Sequence, residues 1–530
     1  MHGNGRPGSD GIRRPDGTRG SRATRRAVLA AALGSAALTA LPARPASAAA
    51  TLANGGFESG TTGWSTYGTT AASFAEAGGR TGGGRLSHWS ASAYKVETYQ
   101  YLTGLPNGTY TLTAWIRSSG GQKSAYLALK SGSAEQRTDL PPTPNGQWLR
   151  LVTSVRVTGN ACTVRLYSDA NAGNWANFDD ITLTPGSTGL PVKGADISSL
   201  KKNEDFGGVY RTSSGTTADA LAVLASAGMN YARLRVWVDP ADGYCNKARV
   251  LAVAKRVKAR GMKLLVDFHY SDTWTDPGAQ TIPSAWAGHS YARMKTDVHD
   301  HTYDVLNALK AQGTTADMVQ IGNELNGGML WPTGSTSNWA QLAGLLTAGA
   351  TAAKAVSSST LVALHLANGG DNALYRTWFD NAVSHKVPFD VIGLSFYGYW
   401  HGALSDLQAN MDDLVARYDK PLYVAETAYP FRLDSDDDWE NVIDKADELV
   451  GGYPATEAGQ AAWFRDVQSV VEAVPARRGL GVFWWDAVWT AVEGNGWDPA
   501  DPSTGNAWEN QALFDYDGRP TEAMSGFAHR

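Results

Sequence analysis

Two cysteines in 530 residues, Cys162 and Cys245, are too few for a disulfide framework. Long apolar runs are also missing: after the first few dozen residues nothing is long enough to span a membrane. Positive charge is in short supply, with 46 Lys and Arg against 51 Asp and Glu for a net charge of −5. That balance disfavours nucleic acid and anionic membrane surfaces as partners. No His-x-His pair or Cys cluster accompanies Asp267 and His269 in "DFHYSD", which argues against a catalytic metal. What the chain does have is 19 Trp and 21 Tyr. An indole N–H needs a partner when buried, so some of these rings should line a binding surface. A neutral substrate such as a polysaccharide fits this composition.

Residues 1–48 read as a twin-arginine-type signal peptide. Arg25 and Arg26 precede an Ala-rich apolar stretch, and Ala46-Ser47-Ala48 forms a small-residue exit. The expected location is therefore extracellular. Losing the eight Arg and two Asp of this leader takes the net charge from −5 to −11. Residues 49–184 carry short alternating stretches such as "TYTLTAWIR" and "CTVRLYS" between turn clusters, which predicts an all-β sandwich. Residues 185–193 read as a linker. From 194 to 530 eight apolar strands alternate with helical patterns, the first two ending in Gly, which predicts a (β/α)8 barrel. A doubly wound sheet is the alternative, but no Gly-rich phosphate loop follows the first strand.

In such a barrel the functional groups gather at the C-terminal strand ends. In order these are Asp196, Arg235, His269, Asn323-Glu324, His365, Tyr397, Glu426 and Trp485. Two are carboxylates, Glu324 after strand 4 and Glu426 ending strand 7. A pair of carboxylates across a cleft is what glycoside hydrolysis needs. One is kept protonated to serve the leaving oxygen, and the other is ionised to attack the anomeric carbon or activate water. Asn323 is positioned to bond a sugar 2-OH. Arg235 and Tyr397 are expected to hold Glu426 ionised, with Arg233 the neighbouring candidate for the same role.

The strings "GADISSL", "RLRVWVDPADG", "DFHYSDTWTDPGAQTIPSAW", "VQIGNELNGGMLWP", "GLSFYGYWHG", "YVAETAYPF" and "GNAWENQALFD" resemble glycoside hydrolase family 53 of clan A, the arabinogalactan endo-β-1,4-galactanases. The resemblance implies a retaining enzyme with Glu324 as acid/base and Glu426 as nucleophile. Asn323, Arg235, His269 and Tyr397 become active-site supports, beside Asp196 and His365, which are candidates from their places at strand ends. It puts Trp274 or Trp286 on sugar in the loop after strand 3, and Trp400, His401 and Trp485 near the scissile bond. Asp486 stands where Glu or Gly would be more in pattern. The implied substrate is pectic galactan or arabinogalactan, acted on by a monomer with no catalytic cofactor. A mannanase, xylanase or glucanase of the same clan, or a non-catalytic glycan-binding protein, is the alternative.

The N-terminal ends "LANGGFESGTTGW" and "NWANFDDITLTP" resemble a jelly-roll carbohydrate-binding module, of the type of family 61. That implies glycan stacking on Trp89, Tyr99 or Trp175. It also raises a structural calcium at Glu58 and Asp180, with the acidic run Asp434–Glu440 as another calcium candidate.

Overall fold

The structure, a computed structural model, describes residues 52–501 and 503–528. The signal-peptide reading of residues 1–48 lies outside them. The N-terminal part folds as two five-stranded antiparallel sheets. One contains Ser65–Gly68, Tyr94–Thr103, Ala161–Ala170, Ser124–Ser131 and Ala134–Asp139. The other contains Ser73–Ala77, Gly84–Trp89, Trp175–Pro185, Gly108–Ser118 and Leu149–Val157. In Ala161–Ala170 every second side chain is buried, the period-2 signature of a strand with one face in a core. Leu112, Ile116, Leu127, Leu129, Val164, Leu166 and Phe178 fill the space between the sheets. Cys162 and Cys245 are both buried and free.

Eight parallel strands then close a barrel: Val192–Asp196, Tyr231–Val236, Lys263–Phe268, Met318–Ile321, Leu361–Leu366, Val391–Ser395, Leu422–Thr427 and Gly479–Trp484. Helices cover the outside, so nearly every strand residue is buried on both faces. The helix signals act where the sequence put them. Asp219 caps Ala220–Ala227, and Gly228 ends it in the left-handed region at φ 109°. Asn246 caps Lys247–Ala259 in the same way.

The barrel interior is layered. Its lower layer is apolar, built from Val192, Leu265, Met318, Val391 and Phe483 with Tyr231 and Tyr423. Above it the inward residues turn polar: Asp196, Arg233, Asp267, Gln320, His365, Ser395 and Glu426, all buried. A transition this deep inside a core is costly unless every group is paired, and the pairing is what builds the site.

The sandwich is bonded to the barrel through its 139–150 segment. Arg150 gives its backbone N–H to Gln408 (2.7 Å) and takes the Gln408 amide N–H on its carbonyl (2.8 Å). Its guanidinium pairs with Asp412 at 2.7 Å and reaches the Ala473 carbonyl at 2.8 Å. Asn145 bonds Ser405, and Asp139 pairs with Arg465. Residues 185–193 are tied down as well. Gly186 bonds the backbone of Thr109, Thr188 bonds Ser154, and Leu190 is buried.

Candidate active site

The loop after strand 4 starts with a conformational break. Gly322 sits at φ 84°, and a Cβ there would lie 2.4 Å from the Leu325 side chain, so only glycine fits. Two residues on, Glu324 itself adopts the left-handed region at φ 46°. A non-glycine residue pays for that conformation, and here it turns the carboxyl into the barrel mouth. Glu324 and Glu426 both line one cavity of about 520 Å³, together with His269, Trp274, Asn323, Tyr397, Trp400, His401, Trp485 and Trp508. Both carboxylates are nearly out of contact with bulk water, at 8% and 6% exposure.

Their surroundings differ. Glu426 Oε1 meets Arg233 Nη2 at 2.8 Å, and Oε2 accepts the Tyr397 hydroxyl at 3.0 Å. Among the described residues no cation pairs with Glu324; its Oε1 accepts the Ser395 hydroxyl at 2.6 Å. Ser395 in turn contacts His365 Nε2 at 2.8 Å, and His365 Nδ1 contacts Gln320 Nε2 at 3.0 Å. Burial holds His365 well below its ordinary pKa and so neutral. A neutral ring with Nε2–H can donate to Ser395 while Nδ1 accepts from Gln320. Burial, then repulsion from Glu426, raises the Glu324 pKa well above the carboxylate range. Burial raises Glu426 too, but Arg233 and the Tyr397 hydroxyl oppose it. A proton shared by this pair therefore resides on Glu324.

Arg233 is the hub. It is 1% exposed, and it pairs with Asp196 at 2.9 Å, Asp267 at 2.8 Å and Glu426 at 2.8 Å. It also donates to Gln320 and to Asn323 Oδ1. The expectation that Arg235 holds Glu426 is thus corrected. Arg233 and Arg235 are two apart on one strand and share a face, so alternation could not separate them; depth does. Arg233 lies in the layer from which a guanidinium can span the barrel, whereas Arg235 lies under the Trp274 ring, 3.9 Å from its centroid. Asp196 and His365 are supports beneath the cleft. His269 lines it, its Nε2 on Asp267 and its Nδ1 accepting the Thr275 N–H. His401 sits against the Tyr397 turn, its Nδ1 3.2 Å from the Tyr397 N and 3.1 Å from the Ser395 carbonyl, one of which it can bond in a given tautomer.

Trp274 lines the cleft and stacks on Trp489, with centroids 5.6 Å apart. Trp286 does not reach it. That ring is buried against Tyr270 and His301 on the flank of the barrel. Sequence reasoning missed Ser395, Trp489, Trp497 and Trp508, and gave Gln320 no role. Gln320 did leave a signal, as the one polar residue inside the apolar run "MVQI". Asp486 is buried beside Asp196, and burial followed by that repulsion raises its pKa to about 8.

In the sandwich, Trp89 and Trp175 are cross-strand neighbours and Trp89 is exposed, but Tyr99 belongs to the opposite sheet. The three expected stacking residues therefore do not form one platform. Glu58 accepts the Gly83 and Gly84 N–H groups, and Asp180 bonds Arg80 and Thr81. Asp434 pairs with Arg432, and Asp437 accepts backbone N–H groups of Trp439 and Asn506. Among the described residues no group of three or more His, Cys, Asp or Glu is gathered that could hold a metal ion. The calcium expectation at these places finds no ligand set.

Glu324 carries a stability cost that can be measured. A carboxyl whose pKa is raised by folding favours the fold only below its ordinary value, 4.5, and that contribution is lost as pH rises. Glu324→Gln keeps the shape and removes the titration. It is expected to raise Tm, by an increment that grows from about pH 4 to about pH 7. An increment independent of pH, or a lowered Tm, would contradict the proton assignment.

Comparison with known proteins agrees with this geometry. The family model for glycosyl hydrolase family 53 matches residues 192–527. A solved family 53 catalytic domain from Ignisphaera aggregans is 40% identical, with a TM-score of 0.61, over 64% of this chain and 95% of its own. The endo-β-1,4-galactanase of Bacillus subtilis (strain 168) is 34% identical over 64% of this chain and 85% of its own. The arabinogalactan endo-β-1,4-galactanase of Thermothelomyces thermophilus is 32% identical over 64% and 99%. The chain therefore belongs to glycosyl hydrolase family 53 and is a glycoside hydrolase.

Proposed function

We propose that the barrel is an endo-β-1,4-galactanase that cleaves internal bonds of galactan or arabinogalactan with retention of configuration. The observation that supports this best is the unlike pair in one cleft. Glu324 is set among neutral hydrogen-bonding groups, and Glu426 is set against a guanidinium and a phenol. In this reading the Glu324 carboxyl gives its proton to the glycosidic oxygen as a Glu426 oxygen attacks the anomeric carbon. The C–O bond to the leaving sugar breaks, and a galactosyl ester forms on Glu426. A water then enters, Glu324 takes its proton, and the water oxygen displaces Glu426. Retention asks for carboxyl groups about 5–5.5 Å apart, against roughly 6.5–9.5 Å for inversion. Asn323 is fixed by Arg233 on Oδ1 and by the Thr275 carbonyl on Nδ2, which suits it to meet a 2-OH. The substrate assignment draws on the galactanases to which the barrel is similar.

The same reading makes the protein secreted and monomeric, with residues 1–48 as export signal, 49–184 as a carbohydrate-binding module of the type of family 61, and 194–530 as the catalytic domain. Exposed Trp89 beside Trp175 supports a glycan surface on the module.

The experiment is incubation of the protein with linear β-1,4-galactan, β-mannan, xylan and β-glucan, with proton NMR of the first products. Short galacto-oligosaccharides from galactan alone, appearing first as the β-anomer, are the expected result. Products from another glycan would move the substrate, α-anomers would overturn retention, and no products from any would leave a glycan-binding protein.

A further inference from the structure

Trp463 belongs to the outer helix Glu457–Glu472 and is 1% exposed. It touches the residues that flank two of the groups in the cleft. Its Nε1–H donates to the Thr427 hydroxyl at 3.0 Å, one residue past Glu426. Its ring stacks on Phe396, one residue before Tyr397, with centroids 5.8 Å apart. One residue after Tyr397, a Cβ added to Gly398 would lie 2.1 Å from the Trp463 ring, so that turn rests directly on the indole. The Phe396 N–H in turn bonds the Glu426 carbonyl at 2.8 Å. One ring thus seats the backbone on both sides of Tyr397 and just after Glu426.

Trp463 also borders the sandwich. With Tyr453 and Ser405 it lines a small cavity, about 30 Å³, whose other wall includes Pro142, Asn145 and Leu149. Pro142 comes so close to Gly452 that a Cβ there would be 2.5 Å from the proline ring. The next residue, Tyr453, sets its ring edge-on against Trp463 at 5.3 Å. The helix that carries Trp463 is held by the sandwich at two places. Asp139 pairs with Arg465 at 3.3 Å, and Arg150 reaches the carbonyl of Ala473, the C-cap, at 2.8 Å. Asn145 donates to Ser405 at 3.0 Å in the first turn of Leu404–Tyr418. That helix follows directly on the turn that brings Trp400 and His401 to the cleft. A close-packed interior passes displacement on, so a shift at this seam reaches the backbone around Tyr397.

We propose that the 139–150 segment of the sandwich is a positioning element of the catalytic site. It holds Tyr397 and Glu426 in register through Trp463, and so contributes to turnover even on chains too short for the sandwich to grip. The proposal rests on the reading of Glu426 as nucleophile. Its physical basis is that a misplacement of about 1 Å can cost roughly 10²-fold in rate. A loosened seam also has a titration signature. Burial raises the Glu426 pKa, and Arg233 and the Tyr397 hydroxyl oppose it. Arg233, Tyr397, Tyr423, Glu324, Asp196 and Asp267 all act on this carboxyl. Of these, Tyr397 stands on the turn that Trp463 touches. Moving its hydroxyl away removes a donor to the ionised form and raises the Glu426 pKa.

The test uses the full chain and the shortest soluble oligosaccharide that the wild type cleaves. Asp139→Ala combined with Arg150→Ala is expected to lower kcat about tenfold with little change in KM. The acid limb of kcat/KM should move to higher pH. Arg150→Lys in place of Arg150→Ala should recover part of the loss. Asn145→Ala removes a single bond and should act in the same direction to a smaller extent, which keeps the test open if the double variant does not fold. Trp89→Ala should leave this short substrate unaffected. A lowered Tm with kcat and pH profile unchanged would make the seam an adhesive between two independent halves and overturn the proposal. So would an equal loss in Trp89→Ala, which would mean that the sandwich acts by holding sugar. If the wild type cleaves a glycan other than galactan, the substrate reading fails separately, and the same comparison on that glycan still tests the seam.

Discussion

Replacing Glu426 by Ala is expected to lower turnover of galactan by a factor on the order of 10⁴ or more, the scale on which loss of a nucleophile is felt. The variant should still fold, because Arg233 keeps two other carboxylate partners, Asp196 and Asp267. The informative measurement is rescue by azide. The space vacated by the side chain admits the small anion on the face Glu426 used, so azide should restore turnover and give an α-galactosyl azide. In Glu324→Ala the galactosyl ester still forms from an activated substrate, and azide then attacks from the other side to give the β-azide. Opposite anomers from the two variants would fix the two roles. A β-azide from Glu426→Ala would reverse them.

The second large effect is expected at Arg233. Its removal, as in Arg233→Met, strands Asp196, Asp267 and Glu426 in a site where none is more than 6% exposed. Breaking a buried ion pair from one side costs on the order of 3–5 kcal/mol, so the variant should be markedly less stable at neutral pH. Its deficit should be pH-dependent in a defined sense. Without the guanidinium, burial is expected to hold the Asp267 and Glu426 carboxyls above their unfolded pKa values. Their contribution is then retained below the unfolded values, near pH 4, and lost as pH rises. The gap in Tm to wild type should therefore narrow on acidification. Arg235→Ala, which leaves Glu426 untouched, should show a smaller narrowing, carried by Asp486, whose raised pKa Arg235 opposes. Equal pH dependence in both variants would remove Arg233 from its central position.

How much of this could be read in the sequence follows from the physics of each feature. The barrel strands were legible because parallel strands buried on both faces must be apolar throughout. Glu324 and Glu426 stood out because a carboxylate directly after such a run has few reasons to be there. The hub was harder. Arg233 and Arg235 have the same local signature, and only the depth of each in the barrel decides which guanidinium reaches strand 7. Ser395 was hidden because a serine at the end of "VIGLS" looks like a strand terminus and not like the neighbour of an acid. The tryptophans divide on tertiary grounds alone. Trp286 and Trp508 sit in similar loop strings, yet the first is covered by Tyr270 and His301 and the second faces the cleft beside Trp485. Nothing local to either string records which loops will close over it. The sandwich and its strands were legible from their alternation, but the assignment of each strand to one sheet or the other was not. Trp89 and Tyr99, ten residues apart in the chain, therefore ended in different sheets.

The seam at Arg150 bears on how such a protein can be taken apart. An accessory domain on a loose tether is a cassette: it can be clipped off, swapped or grafted onto another catalyst at little cost to either piece. Here Gln408, Asp412 and the Ala473 carbonyl all spend their hydrogen bonds on Arg150, while Gly186 and Thr188 are stitched to the sandwich. A truncated barrel would present these groups bare to solvent, and a transplanted sandwich would arrive with a guanidinium and no anion to meet it. The natural unit of exchange is the whole of the two halves together.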